Sequence, residues 1–327
     1  MSITIALAGN PNSGKTTLFN LLTGSRARVG NFPGVTVEKT SRALRGRPDV
    51  ELTDLPGVYS LSPYTAEELV TRDFLMDERP DAVINIIDCT AAERGLYLTL
   101  QLLSLGLPTV VAFNMADELR AGGGRIDTGV FSKALGVRCI AVSALQRTGI
   151  RALTDAAVRA AREGSASALF PYTGACAFAV RELRGAVASI SEAAGVPSLF
   201  AARKLLEGDA PLETRLHLTA AQRALLERRR ADVAQAVGCD CESAMIDNVY
   251  RFITTLCQTA LQRAASPAVK LSLRADRLLT GRWTGLPIFA AVMALVFYLT
   301  FGPLGRGLSE LAGRGVDWLA PLLETLL

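Results

Sequence analysis

The sequence predicts an α/β domain with a mostly parallel sheet, then an all-α helical domain, then one transmembrane helix. Three observations predict this. Short apolar runs alternate with helix-period segments through about the first half of the chain; the strand pattern stops after Phe170-Pro171; and the 23 residues 283–305 carry no charge. Of the 327 residues 50% are hydrophobic and 20% charged, which excludes a disordered chain. A net charge of +4 gives no case for a nucleic-acid partner.

Residues 3–8, 50–53, 82–88, 109–113 and 138–142 are short apolar runs bounded by Gly, Pro or Asp, and read as strands. Helical spacing falls between them at 15–23, 66–76, 95–105, 130–135 and 150–162. Alternation of this kind argues parallel strands covered by helices. Residues 35–44 are expected to add one antiparallel edge strand.

From residue 172 to 266 the sequence offers no convincing strand and predicts about four helices. Val180, Leu183, Val187 and Ile190 recur at helical spacing, and Pro197 is placed in a first turn. Thr219 and Gln222 read as a capping box opening a helix to Val237. Ile246, Val249, Tyr250, Ile253 and Cys257 form the stripe of another helix. Arg228-Arg229-Arg230 is expected to be a solvated face.

The charge-free run is long enough to span a bilayer, since about 20 apolar residues cross ~30 Å of hydrocarbon. Trp283 and Tyr298 suit its two interfaces. Lys270, Arg274, Arg277 and Arg282 precede it, placing residues 1–282 in the cytoplasm by the positive-inside rule. No basic n-region precedes the apolar start, so no cleavable leader is expected. The six cysteines all lie on the cytoplasmic side, where thiols stay reduced. Cys239 and Cys241 could form a metal clip, but suitably spaced further ligands are missing. The resulting division is 1–168, 169–270, a basic juxtamembrane linker 271–282, a span 283–305, and an amphipathic or extracytoplasmic segment 306–327.

The chemistry is carried by four short motifs. Gly9-Asn10-Pro11-Asn12-Ser13-Gly14-Lys15-Thr16 follows a strand and opens a helix, which is the setting of a phosphate-binding P-loop. Its backbone N–H groups, with Thr17 in the first helical turn, can cradle phosphates; Lys15 reaches the β- and γ-phosphates and Thr16 binds Mg²⁺. Asn114-Met115-Ala116-Asp117 closes a strand on the ligand side of the sheet. A carboxylate only accepts hydrogen bonds, so Asp117 pairs with the N–H groups guanine carries at N1 and N2 and rejects adenine. Met115 stands where lysine is usual and leaves both recognition groups in place. Ser143-Ala144 suits a backbone contact to the guanine O6. Asp54-Leu55-Pro56-Gly57 ends a strand, with Asp54 toward Mg²⁺ and the Gly57 N–H toward the γ-phosphate. Thr36, in Gly34-Val35-Thr36, sits where a switch threonine would hold Mg²⁺. In order and at strand ends, these motifs predict a Ras-like P-loop GTPase binding GTP and GDP. Val58 replaces the usual water-positioning glutamine, so hydrolysis is expected to be slow without another source of charge.

These residues resemble one family. Residues 10–20, 29–38, 54–64, 93–102 and 279–289 are similar to ferrous iron transport protein B. The resemblance implies a cytoplasmic G domain, a helical domain that slows nucleotide loss, and a polytopic permease for Fe²⁺ in the bacterial inner membrane, working with small accessory iron-transport proteins. It also implies K⁺ activation, with Asn12 and first-switch carbonyls near residues 30–32 holding K⁺ beside the phosphates in place of an arginine finger. The family's permease has many more spans, so the sequence reads as a fragment of a longer protein or a truncated member. The alternative is a membrane-tethered GTP switch that recruits a partner and transports nothing.

Overall fold

The computed structural model describes residues 3–23, 28–31, 38–164, 167, 169–262, 279, 281 and 284–302. Residues 3–262 belong to one compact unit and the segment from 265 onward to another.

The first unit opens with β1 (Ile3–Gly9), α1 (Lys15–Leu22), β2 (Arg28–Asn31), β3 (Glu38–Leu44), β4 (Arg47–Asp54) and α2 (Ala66–Asp73), which runs on through a π turn at Phe74–Glu78. It continues with β5 (Ala82–Asp88), α3 (Ala92–Ser104), β6 (Thr109–Asn114), α4 (Ala116–Ala121), β7 (Arg125–Ile126), α5 (Thr128–Leu135), β8 (Arg138–Ala141) and α6 (Ile150–Glu163). Seven strands form one sheet in the order β2-β3-β4-β1-β5-β6-β8. Neighbours from β4 to β8 pair in parallel, whereas β2–β3 and β3–β4 are antiparallel. The expected strand over 35–44 is present as β3, but β2 lies outside it at the edge. The order reverses about β1, which opens a crevice at the carboxyl ends of β1 and β5, the ligand side of such sheets.

The central strands β1, β5 and β6 are buried on both faces, and alternating residues of the sheet feed two cores. Ile5, Leu7, Leu52, Ile84 and Val110 pack beneath Leu18 and Phe19 of α1 and Leu153 of α6. Ala6, Ala8, Val83, Ile87, Val111 and Phe113 face the other side. There the core continues without a break into α7 (Gly174–Ala193), α8 (Ser198–Leu206), α9 (Ala210–Leu216), α10 (Ala220–Val237) and α11 (Cys241–Ala260). Helix α3 lies between the sheet and this helical layer, and every residue from Gly95 to Ser104 is buried. Burial on all sides is what a helix without a polar face requires.

The helical layer departs from expectation in three places. It has five helices among the described residues, and it closes with a two-residue strand, β9 (Leu261–Gln262), paired antiparallel with β7. Pro197 is the cap residue before α8 and not a first-turn residue, because the helix starts at Ser198. Arg229 and Arg230 are not a solvated face: Arg229 pairs with Glu182 and Asp232, and Arg230 with Glu227 and Glu213. Only Arg228 of the three is exposed. Asp240 caps α11 through the Ser243 N–H, so Cys241 turns into the core while Cys239 stays half-buried, which explains the Cys-Asp-Cys run without a metal. Among the described residues no three His, Cys, Asp or Glu side chains gather to hold a metal. The Thr219–Gln222 capping box is formed as expected.

A buried ion cluster sits at the C-terminal end of α8. Arg203 Nε and Lys204 Nζ bond opposite oxygens of Glu207 at 2.6 and 2.9 Å. Burial alone would raise the Glu207 carboxyl, but the two cations beside it hold it down to about 2. Arg72 of α2 bonds Asp209, the cap of α9, at 3.0 Å.

The second unit contains α12 (Gly285–Phe301), 17 residues without a charge and exposed along most of its length. At 1.5 Å per residue it is about 26 Å long, and among the described residues no single helix is long and apolar enough to cross a membrane. Most of the flanking residues of the expected span, Trp283 included, lie outside the described residues.

Glu207→Gln should destabilise the fold by about 3–5 kcal/mol at neutral pH, because it leaves two buried cations unpaired. Glu207 titrates lower folded than unfolded, so its stabilisation is present above the ordinary carboxylate value of 4.5 and is lost as pH falls toward about 2. The gap in melting temperature between wild type and variant should therefore close as pH drops through that window. A gap that stays constant would contradict the pairing.

Candidate functional site

The motif residues meet at the carboxyl edge of the sheet. Leu7 of β1 is level with Asp54 of β4, Gly9 with Ile86 of β5, and Asp88 with Asn114 of β6. The loop from Gly9 to α1 is wound tightly: Asn12 has φ 64° and Gly14 φ 82°. A side chain at Gly14 would be strained by that φ, and its Cβ would stand 2.3 Å from Asn114 Nδ2. The loop can pass over β6 only because residue 14 has no Cβ. Ser13 Oγ and Asn10 Oδ1 are buried in this cradle and have no hydrogen-bond partner among the described residues. Thr16 and Thr17 are exposed on the first turn of α1.

Asn114 joins the two halves of the site. Its Nδ2 donates to the Ser13 carbonyl at 3.0 Å, and its Oδ1 accepts from the Ala144 N–H at 3.1 Å. One buried amide thus fixes the P-loop against the loop between β8 and α6. That second loop is closed by paired backbone bonds between Ser143 and Thr148 and by the Gln146 N–H donating to Ser143 Oγ at 3.0 Å. Met115, at φ 59°, is the cap residue of α4 and reverses the chain so that Asp117 falls in the first turn. Asp117 is half-buried, and its carboxylate makes no hydrogen bond to the described residues, leaving both oxygens as acceptors.

Lys15 Nζ is bonded to Asp54 Oδ1 at 2.5 Å, so the P-loop cation and the strand-end carboxylate lie side by side. Gly57 lies against the P-loop; a Cβ there would come 3.3 Å from the Pro11 backbone. The next residue, Val58, donates its N–H to the Gly9 carbonyl and has its side chain 2% exposed. A buried valine cannot orient a water, which accords with the missing glutamine. Gly34 and Thr36 lie outside the described residues; Gly30 and Asn31 stand in β2. The hard oxygen donors present, Thr16 and Asp54, fit a small hard cation such as Mg²⁺. The exposed Asn12 amide fits a second cation at the loop's outer side.

Sequence reasoning missed what holds the loop after Gly57. Ser60 N–H and Oγ both donate to Glu68 Oε1, the Leu61 N–H donates to Gln101 Oε1, and Lys204 Nζ donates to Ser62 Oγ at 2.9 Å. Tyr64 Oη donates to Glu242 Oε1 at 2.5 Å, and this bond heads the causes that push the phenol up to about 12. Tyr97 of α3 stacks on Tyr250 of α11 at 5.3 Å. The loop is therefore anchored in the helical layer. No local motif marks Lys204, Gln101 or Glu242, because each becomes a partner only through the tertiary fold.

Comparison with known proteins agrees with this geometry. Residues 3–157 match the family described as "Ferrous iron transport protein B", and residues 174–262 match "FeoB cytosolic helical domain". An Fe(2+) transport protein A/Fe(2+) transporter FeoB fusion protein from Porphyromonas gingivalis is 35% identical over 99% of this chain and 40% of its own length. A crystal structure of an S. thermophilus NFeoB mutant bound to GDP is 40% identical, with a TM-score of 0.73, covering 80% of this chain and 100% of that one. Another, of S. thermophilus NFeoB bound to GDP.AlF4- and K+, is 40% identical, with a TM-score of 0.69, over 78% and 99% of the two chains.

Asn114→Ala removes both bonds of the clamp and leaves the Ser13 carbonyl and the Ala144 N–H without that partner. A stability loss of about 1–3 kcal/mol is expected in chemical denaturation. An unchanged midpoint would mean the two loops are held by other contacts.

Proposed function

The chain belongs to the ferrous iron transport protein B family, and from that premise we propose that it is the GTP-hydrolysing switch of an Fe²⁺ transporter. The observation that carries the reading is the Asn114 clamp, which sets a phosphate cradle and a base-selecting carboxylate at one sheet edge. The chain spans about 40% of the length of the curated relative it matches. Transport is therefore proposed for the whole protein, with the remaining permease and small accessory iron-transport proteins as partners.

The chain is a GTPase, converting GTP and water to GDP and phosphate, with K⁺ as an activator. Its residues divide the work. The backbone N–H groups of 13–17, aided by the α1 N-terminus, bind the phosphates. Lys15 neutralises the β- and γ-phosphates once it parts from Asp54. Asn114 and Asp117 select guanine, and the loop at Ser143-Ala144 lies beside O6. The Gly57 N–H senses the γ-phosphate. Thr16, Thr36 and Asp54 would hold Mg²⁺, and Asn12 would hold K⁺; when bound, these ions supply positive charge against the phosphate oxygens. Val58 offers no water-positioning group, which is why activation by an added cation fits this chain.

The anchoring of Ser60, Ser62 and Tyr64 provides the output. A γ-phosphate contact at Gly57 is three residues from Ser60, which bonds Glu68 of α2, and five from Ser62, which bonds Lys204 of the helical layer, so nucleotide state acts through one short loop on both. The apolar helix α12 and the basic residues that precede it in sequence support an inner-membrane location with residues 1–282 cytoplasmic.

GTP hydrolysis by wild type should be on the order of tenfold faster in K⁺ than in Na⁺, a difference of about 1.4 kcal/mol in barrier. Asn12→Ala should bring the two rates together. Equal wild-type rates in the two salts would contradict the K⁺ site. In cells that make the whole transporter, Lys15→Ala should abolish nucleotide-dependent iron uptake; uptake that survives it would contradict coupling between the nucleotide site and transport.

A further inference from the structure

The helix that carries Asp117 is held at its far end by the strand that leaves the helical layer. At Ala260 the backbone stops being helical, and Leu261–Gln262 extend as β9 to pair with Arg125–Ile126 of β7. The Asp127 N–H donates to the Ala260 carbonyl at 2.8 Å, which extends the junction by one more bond. Strand β7 joins α4 through Gly122-Gly123-Gly124, and the Gly124 N–H donates to the Leu119 carbonyl at 2.8 Å. A Cβ on Gly124 would stand 2.6 Å from Leu119 Cδ1 and 3.0 Å from the Gln262 carbonyl. The last turn of α4, Gly124 and the backbone of β9 are thus stacked with no room between them.

Helix α4 has six residues, about 9 Å. Its first turn is fixed by the Ala116 N–H bonding the Val142 carbonyl at 3.2 Å. The buried Ala116 and Leu119 seat this short rod in the core, and the two-residue sheet holds its far end. Leu261 is buried, so β9 cannot slide without disturbing the core.

We propose that the β7–β9 pair is a strap that positions Asp117 and thereby sets how long a guanine nucleotide stays bound. The proposal rests on the reading of Asp117 as the guanine acceptor. Gly124, Arg125 and Gln262 are positioning residues that touch no part of the nucleotide. Coupling is reciprocal, so bound GDP in turn favours the paired strap.

The test uses the full chain in detergent and follows release of fluorescent GDP alongside single-turnover hydrolysis of bound GTP. Gly124→Ala forces the Gln262 carbonyl away and should speed GDP release about tenfold, within the usual range of such couplings. The pair Arg125→Cys with Gln262→Cys joins directly paired residues, a separation a disulfide spans. Its oxidised form should release GDP more slowly than its reduced form, and melting curves confirm that both variants fold. Single-turnover hydrolysis should stay within about twofold of wild type throughout, a split that general loss of structure would not produce. Unchanged release in both variants, or hydrolysis falling in step with release, would overturn the strap. Failure of wild type to bind GDP would overturn the base assignment together with the strap, whereas binding with unaltered release overturns the strap alone.

Discussion

The site depends on one close approach. The P-loop crosses the end of β6 so tightly that Gly14 sits against the Asn114 amide, with space for no side chain. That proximity lets a single buried amide donate to the P-loop and accept from the loop after β8. Phosphate and base recognition are therefore not two modules placed side by side. They share a hinge pin, and the strand order that reverses at β1 puts that pin at the crevice where an α/β sheet binds its ligands.

The same economy holds one layer down. The core beneath β5 and β6 continues through α3 into the helical layer, so the two sequence regions fold around a shared interior. The loop after Gly57 lies on this seam, bonded to Glu68, Gln101 and Lys204. Of these partners Lys204 belongs to the helical layer, so a change at the loop's nucleotide end reaches that layer through the Ser62 bond. The buried cluster of Arg203, Lys204 and Glu207 makes such a report discrete, because a buried charge without its partner is costly.

Much of this was legible in the sequence because it follows local rules. Period-two and period-3.6 patterns located β1, β5, β6 and most helices, and Thr219 with Gln222 announced α10 through its capping chemistry. The P-loop and the Asn114–Asp117 run were readable since their spacing is dictated by the ligand. What escaped lacks a local signal. Strands β7 and β9 are two residues each and carry no alternation to detect. Arg229 and Arg230 look like a solvated run until the fold brings Glu182 and Glu213 beside them. Asp240 was hidden between two cysteines, where a helix cap and a metal clip have the same composition. Lys204 reads as an ordinary surface lysine, and only its burial against Ser62 and Glu207 gives it a role.

The central claim is that Asn114 and Asp117 make this edge a guanine site. Equilibrium titration of the chain with fluorescent GTP, followed by competition with unlabelled GDP and ADP in K⁺ buffer, tests it most directly. The account predicts that GDP displaces the probe at concentrations at least about a thousandfold below those at which ADP does, as expected when a half-buried acceptor is left without its donors. Displacement by GDP and ADP at similar concentrations would contradict it.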